Sequence, residues 1–510
     1  MNFFQRSALT ALVVAAVALI MEIVTEASPW NEAIRHLAAR MFAPYDGYFY
    51  SNGKNAREAT DRILLIDIGE ATLRRYRQPW PLSYGHHARL LERIRQGQPA
   101  AVFLDIQFES QRDDPTLGAL LETLCAFRAD DIPVYLAAGS QASQGRLRPE
   151  LETLRDPQGR ACFKKVSVTY DQAAVDRISW TYPLLGEVGD ERLPSAALAL
   201  AEALQGEPLA DRNAASTMGL VWGGSALGQG PRWVSDPGSA GPTAQPKSDQ
   251  HYCRGPSWKD LVPLQSFFAR LGGFTPDWRP WCPMQASIEA LELTAPKSQA
   301  QSEEQMARIK DRAIIYGVST DPNDFIVSPL QAELPGMHLH AQATDNLLRF
   351  GSQWRQPHIG ARWGHSGEML VTFAAFFSLA LAFTLARSGM TRAWGAIRDT
   401  IRGPSAGRRA RTSLAAFLSR LSVRSPVALK SGFSLLTDSL VHMGGQIVLF
   451  YGALLLAVPF SFVLERLLNV SLIGYSSVLA FCLFGELFAA THKARESLEQ
   501  SGEPPVEPPR

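Results

Sequence analysis

The side chains best placed to do chemistry are acids at the ends of apolar runs. Asp67 closes Ile63-Leu64-Leu65-Ile66, and Asp105 closes Ala101-Val102-Phe103-Leu104. Asp321 and Asp324 follow Ala313-Ile314-Ile315-Tyr316-Gly317-Val318. If these runs are parallel strands, their carboxyl ends share one sheet edge, where open α/β sheets bind ligands. Trp80 (followed by Pro81) and His340 are expected to complete a ligand pocket with Asp67, Asp105 and Asp324. The plainer alternative is that the acids cap helices or anchor loops by accepting backbone N–H bonds. His338 and His340 could chelate a metal only with a third ligand from elsewhere. A hydrogen-bonded histidine pair at a helix start is the simpler reading, so no metal or other cofactor is predicted.

Motifs that carry a mechanism are missing. There is no GxxxxGK[ST], GxSxG or HExxH, and no kinase or cyclase signature. No nucleophile–base pair is visible, so a non-enzymatic protein is expected. Of five cysteines, Cys482 lies in an apolar run, while Cys125, Cys162, Cys253 and Cys282 lie in the polar region. An even count in an exported domain fits disulfides. Four cysteines allow three pairings, and proximity favours Cys125–Cys162 and Cys253–Cys282. No CxxC spacing supports zinc.

The elements that would position the acids alternate. Residues 63–66, 101–104, 134–137 and 313–318 read as strands, and 88–94, 117–127, 193–204 (Pro194 at its start) and 338–348 as helices. Continuous apolar strands alternating with helices predict an α/β domain, a mostly parallel sheet covered on both faces. A Gly/Pro/Trp-rich stretch at 206–300 reads as an insertion into that domain.

Four apolar runs flank and follow the domain and predict four transmembrane α-helices. The first, at 7–24, is read as an uncleaved anchor. The others are a helix at 365–387 and a hairpin at 442–491 whose tight turn holds Glu465, Arg466 and Asn469. The connector 388–441 is basic, with Arg408, Arg409 and Arg411 among many, and reads as cytoplasmic. Its 413–421 stretch also fits an amphipathic helix that lies on the bilayer or docks a partner. Glu486, inside the fourth run, pairs with a partner helix or sits near the inner interface. The expected topology has both termini cytoplasmic, with 27–364 in the periplasm of a bacterial inner-membrane protein. The tail 492–510 is polar and Pro-rich and too short for a catalytic domain. Charge is balanced, 50 Lys+Arg against 49 Asp+Glu over 510 residues, which argues against a nucleic-acid partner.

Four blocks carry a family resemblance. They are 63–70 (Ile-Leu-Leu-Ile-Asp-Ile-Gly-Glu), 80–91 from Trp80-Pro81 to Leu91, 101–108 (Ala-Val-Phe-Leu-Asp-Ile-Gln-Phe) and 335–348 from Pro335-Gly336 to Leu348. In this order, between an anchor and later spans, they resemble the type-2 CHASE domain (CHASE2; cyclases/histidine kinases associated sensory extracellular). The resemblance implies a bacterial inner-membrane receptor module with a periplasmic sensory domain. Members usually continue into an output domain; this chain is expected to be a stand-alone form. The resulting expectation is a sensor or signalling subunit. It would detect a periplasmic ligand or protein and relay it through its spans to a separate membrane or cytoplasmic output protein. The bilayer surrounds it, and a homo-oligomer is compatible. The rivals are an envelope scaffold built on the insertion and a membrane effector acting through its helices.

Overall fold

In the computed structural model the described residues are 29–357, together with a few single positions outside that range. Within it 54–55, 110, 140–144, 211–216, 226–252, 258–259, 261–278, 297, 322–323 and 332 are excepted. Apart from single positions, the expected spans at 7–24, 365–387 and 442–491 lie outside the described residues. So do the connector and the tail, and with them Arg408, Arg409, Arg411 and Glu486. Among the described residues no helix is long and apolar enough to cross a membrane.

One compact unit comprises His36–Ala361 and Asn469–Gly474. Helix α1 (Pro29–Asn52) and the short α2 (Ala56–Thr60) lead into β1 (Ile63–Ile68), then α3 (Glu70–Tyr76) and α4 (Tyr84–Gln96). Next come β2 (Ala101–Leu104), α5 (Leu117–Ala129), β3 (Val134–Ala138), α6 (Pro149–Glu152) and β4 (Lys164–Ser167). Short strands β5 (Thr181–Pro183), β6 (Leu185–Val188) and β7 (Glu191–Pro194) precede α7 (Ala196–Gln205) and β8 (Thr217–Gly219). Then follow β9 (Ala286–Glu289), α8 (Ala290–Thr294), α9 (Gln299–Ile309), β10 (Ala313–Val318), β11 (Phe325–Val327), β12 (Glu333–Pro335) and α10 (Met337–Phe350).

Six strands form one sheet in the order β4-β3-β2-β10-β1-β9, and every pairing is parallel. The central strands are apolar on both faces because both faces are covered. Ile63, Leu64, Leu65, Ile66 and Ile68 have no measurable exposure, nor do Ala313 to Tyr316. Burial of each large side chain is worth about 1.5–3 kcal/mol. On one face Leu64, Ile66, Leu104 and Tyr316 pack with Leu90, Leu91 and Ile94 of α4, Leu120 and Leu124 of α5, and Ile309 of α9. On the other, Ile63, Leu65, Phe103 and Ile315 pack with Ala196, Ala199 and Leu200 of α7 and Met337 and Ala341 of α10.

The sequence expectations for the central elements match the chain closely, with three differences. Leu193 and Pro194 belong to β7, not to a helix. Ser195 is the N-cap, its Oγ accepting from Leu198 N–H at 3.3 Å, so α7 starts only at Ala196. The sheet also reaches into the stretch read as an insertion, whose Ala286–Glu289 pairs parallel with β1. The strand β4, unexpected from its polar sequence, closes the opposite edge. Disulfides join Cys125 to Cys162 and Cys253 to Cys282.

Candidate functional site

The order of the strands creates a switch point. From β1 and β2 the chain leaves toward the α4/α5 face, whereas from the intervening β10 it passes through a hairpin to α10 on the other face. At such a point the carboxyl ends open a crevice. One register row lies at that end. Asp67 of β1 stands beside Glu289 of β9 and Gly317 of β10. Leu104 is paired with Tyr316, which brings Asp105 alongside Gly317 on the far side. Side chains in one row of a parallel sheet share a face, here that of Leu65, Phe103 and Ile315. Three of four neighbouring positions are therefore acids, and the fourth lacks a side chain. A Cβ at Gly317 would sit tightly against Met337 Sδ at 3.2 Å and in ordinary contact with Asp105 Cβ at 3.4 Å, so α10 lies close to the row.

The hairpin β11–β12 brings in the third expected acid. Gly336 N–H donates to the Asp324 carbonyl at 2.7 Å, which sets Asp324 against the start of α10. A Cβ at Gly336 would fall 2.5 Å from Asp324 Oδ1, so a side chain there would displace the carboxylate. One turn along α10, His340 is buried, with Nε2 at 3.8 Å from Asp105 Oδ1. Its Nδ1 lies 2.7 Å from the Tyr182 hydroxyl. Burial pushes the Tyr182 phenol pKa up, so the hydroxyl stays protonated in that contact.

The electrostatics follow from burial without cations. Asp67 is 4% exposed and burial pushes its carboxyl up to about 7, helped by the Glu289 charge and opposed by a bond from Ser319 Oγ at 2.8 Å. Its Oδ1 is buried with no hydrogen-bond partner. Burial likewise raises Asp105, and Asp324 is raised by burial and by the Asp105 charge. Burial also lowers His340 to about 4. His340 is thus uncharged at neutral pH, and its contact with Asp105 is not an ion pair there. Charging a buried carboxyl without a partner costs several kcal/mol. A ligand that brings N–H donors or positive charge to this row would remove part of that cost.

Of the five residues expected at a ligand pocket, the structure brings Asp105, Asp324 and His340 together and sets Asp67 beyond Gly317 in the same row. Trp80 lies elsewhere. It packs on the α4/α5 face, edge-on to His87 with centroids 6.0 Å apart. His338 is also buried, and among the described residues no cluster of three His, Cys, Asp or Glu could hold a metal. Sequence reasoning missed Tyr182, Glu289 and Gly317. Only Gly317 left a signal, as a glycine inside an apolar strand, which marks close approach.

The far end of α10 carries a second buried polar set. Asp345 has no exposure and is paired with Arg349, with Nε to Oδ1 at 2.5 Å. It also accepts from Tyr50 of α1 and, at 2.6 Å, from Thr60 of α2. Arg349 donates to the carbonyls of Tyr50 and Ala56, both at 2.6 Å. Just past α10, Arg355 holds Asp46 of α1 with two bonds of 2.7 and 2.9 Å.

Compared with known protein families, residues 12–383 match the family described as the CHASE2 domain. The chain belongs to the CHASE2 domain family. CHASE2 domains are sensory, so the acid row and α10 are features of a sensory domain. No curated protein and no solved structure matches this chain.

Proposed function

We propose that this CHASE2 protein is a non-enzymatic periplasmic sensor subunit, read out through the chain segments that leave the domain. The observation that carries this reading is α10. Its 14 residues make a rod of about 21 Å. Its first turn touches the uncompensated acids, through Gly336, Met337 and His340. Its last turn and the residues after it grip α1 through Asp345, Arg349 and Arg355. A ligand or protein that changes the charge or packing at the row acts on one end of a rigid helix. The other end holds both the chain entering the domain and the chain leaving it. A ligand shifts such an equilibrium only by its differential affinity for the two arrangements.

A further contact supports the topology this requires. Asn469, from the turn between the third and fourth apolar runs, docks on the exit segment. Its Nδ2 donates to the carbonyls of Gln353 and Trp354 at 3.1 and 3.2 Å, and Gln356 N–H donates to its carbonyl at 3.0 Å. This agrees with a hairpin turn on the same side as the domain. Output would pass through the basic connector to a separate protein. Crosslinking pull-down from native membranes tests this, with the intact chain compared against one lacking 388–441. A partner recovered with the first and lost with the second is the expected result. Recovery of no partner across repeated gentle-detergent preparations would end the relay reading.

The scaffold reading has one observation in its favour. Cys253–Cys282 closes a loop inside the Gly/Pro/Trp-rich stretch, and the buried Trp281, whose backbone N–H donates to Leu330 O at 3.0 Å, ties that loop to the domain, which would present it as a fixed surface. A partner retained without 388–441 and lost on deletion within 226–278 would favour it.

A further inference from the structure

On the sheet face away from α10, a cavity of about 550 Å³ opens between α3, α4, α5 and α8. We propose that this cavity is a second binding site, for a small soluble anion that joins a carboxylate or phosphate group to an apolar, ring-sized body. The site is separate from the acid row and does not depend on the relay reading.

The walls give the ligand its class. Arg75, Arg89 and Arg93 line the cavity, and the only acid there is Glu92. Both oxygens of Glu92 are taken by Arg95, at 2.8 Å each, so its charge is spent outside the cavity. Arg93 is a fixed part of the wall, since it bonds Leu293 O, Gln96 Oε1 and Ser302 Oγ. Arg75 and Arg89 are different. Both are exposed, and among the described residues neither has a carboxylate partner. Arg89 makes one long bond, to Gly85 O at 3.4 Å, and leans over the Tyr76 ring at 5.9 Å. Two free guanidinium forks at one mouth suit a planar carboxylate or a phosphate.

The rest of the lining is not that of a bare anion site. Ala88, Ala119, Leu291 and Ala295 make an apolar floor, and Tyr76 adds an aromatic wall. Tyr76 is held in place by its hydroxyl on Thr294 Oγ1 at 2.9 Å and by the His86 ring at 4.1 Å. The volume is in the range for a drug-sized molecule. Filling the cavity would also be felt by the acid row. Tyr76 and Arg75 belong to α3, whose Thr72 N–H and hydroxyl both donate to Glu289, the neighbour of Asp67.

The test uses the full chain in detergent and three probes: phenyl phosphate, inorganic phosphate and phenol. Binding is followed by titration calorimetry and by the proton resonance of His86, assigned through its loss in His86→Gln. Burial and the Arg89 charge together lower the His86 pKa. An anion seated on Arg89 should therefore raise it. Phenyl phosphate is expected to bind saturably, at least about tenfold tighter than either fragment, and to weaken with salt. Arg75→Gln with Arg89→Gln, both on exposed side chains, should cost at least about tenfold in affinity. Ala119→Trp, which fills the cavity from an exposed position on α5, should abolish binding while the circular dichroism stays unchanged. Three results would overturn the proposal. They are no saturable phenyl phosphate binding with the fold intact, binding indifferent to all three substitutions, and inorganic phosphate or phenol binding as tightly as phenyl phosphate.

Discussion

The two ends of α10 bury the same kind of group in opposite circumstances. At the first turn, Asp105 and Asp324 are half-buried and close enough for the Asp105 charge to raise Asp324, and among the described residues no Lys or Arg pairs with either. At the last turn, Asp345 is buried more completely, yet it has Arg349 and the hydroxyls of Tyr50 and Thr60. Burial raises the Asp345 carboxyl too, but the Arg349 charge and both hydroxyl bonds pull it back. A compensated buried acid is a fastener, because removing any partner strands the rest. An uncompensated one is responsive, because its protonation or pairing can change without breaking anything else. The helix thus has a fixed end and a responsive end.

The largest effect should come from breaking the fixed end. Arg349→Ala leaves Asp345 buried and unpaired and should cost about 3–5 kcal/mol of stability. The paired change Asp345→Leu with Arg349→Met should recover most of that loss. Urea unfolding of the full chain in detergent compares them, and equal losses in both would mean the pair is not the fastener.

At the responsive end the sign reverses. The folded Asp67 pKa, about 7, lies above its ordinary 3.8. The folded state therefore holds an extra proton between those values, and stability from this group falls as pH rises from about 4 to 7. Asp67→Asn removes the penalty. It should stabilise the protein by about 2 kcal/mol at pH 8, about half of the roughly 4 that the full displacement allows, and by little at pH 4. Melting curves at the two pH values decide it; a pH-independent change would show that Asp67 is ordinary packing.

The smallest effect belongs to the link between the row and α7. Tyr182→Phe takes the hydroxyl from His340 Nδ1 and should cost about 1 kcal/mol. It should also free the ring to change tautomer, which nitrogen-15 shifts of His340 would record. Unchanged shifts would detach Tyr182 from the row.

What was legible in the sequence follows from burial on two faces. The runs 63–66, 101–104, 134–137 and 313–318 stand out because both of their faces are apolar. Lys164–Ser167 and Ala286–Glu289 do not, because edge strands carry polar residues and need only short pairing. The acids were legible because they interrupt or follow apolar runs. The residues that give them meaning were not. Asp345 and Arg349 look like an ordinary surface pair four apart on a helix, and only the packing of α1 buries them. Trp80 was associated with the acids through position in the chain, yet the turn before α4 carries it to the other face. The Arg75–Arg89 mouth spans two helices and has no linear pattern at all.

The place of β10 in the sheet also bears on how the chain must assemble. This strand separates β1 from β2, but it lies about 210 residues after β2 in the sequence. A chain emerging from its N-terminus presents β1 and β2 long before their common neighbour exists. Each then exposes an apolar, unpaired edge, the kind that recruits other chains. Sheets closed by such distant pairings form slowly. A holding chaperone during synthesis, or simply rapid delivery of the last third of the domain, would matter more for yield here than for a hairpin-built fold. Fragments ending before residue 313 should precipitate rather than fold, however much of the core sequence they contain.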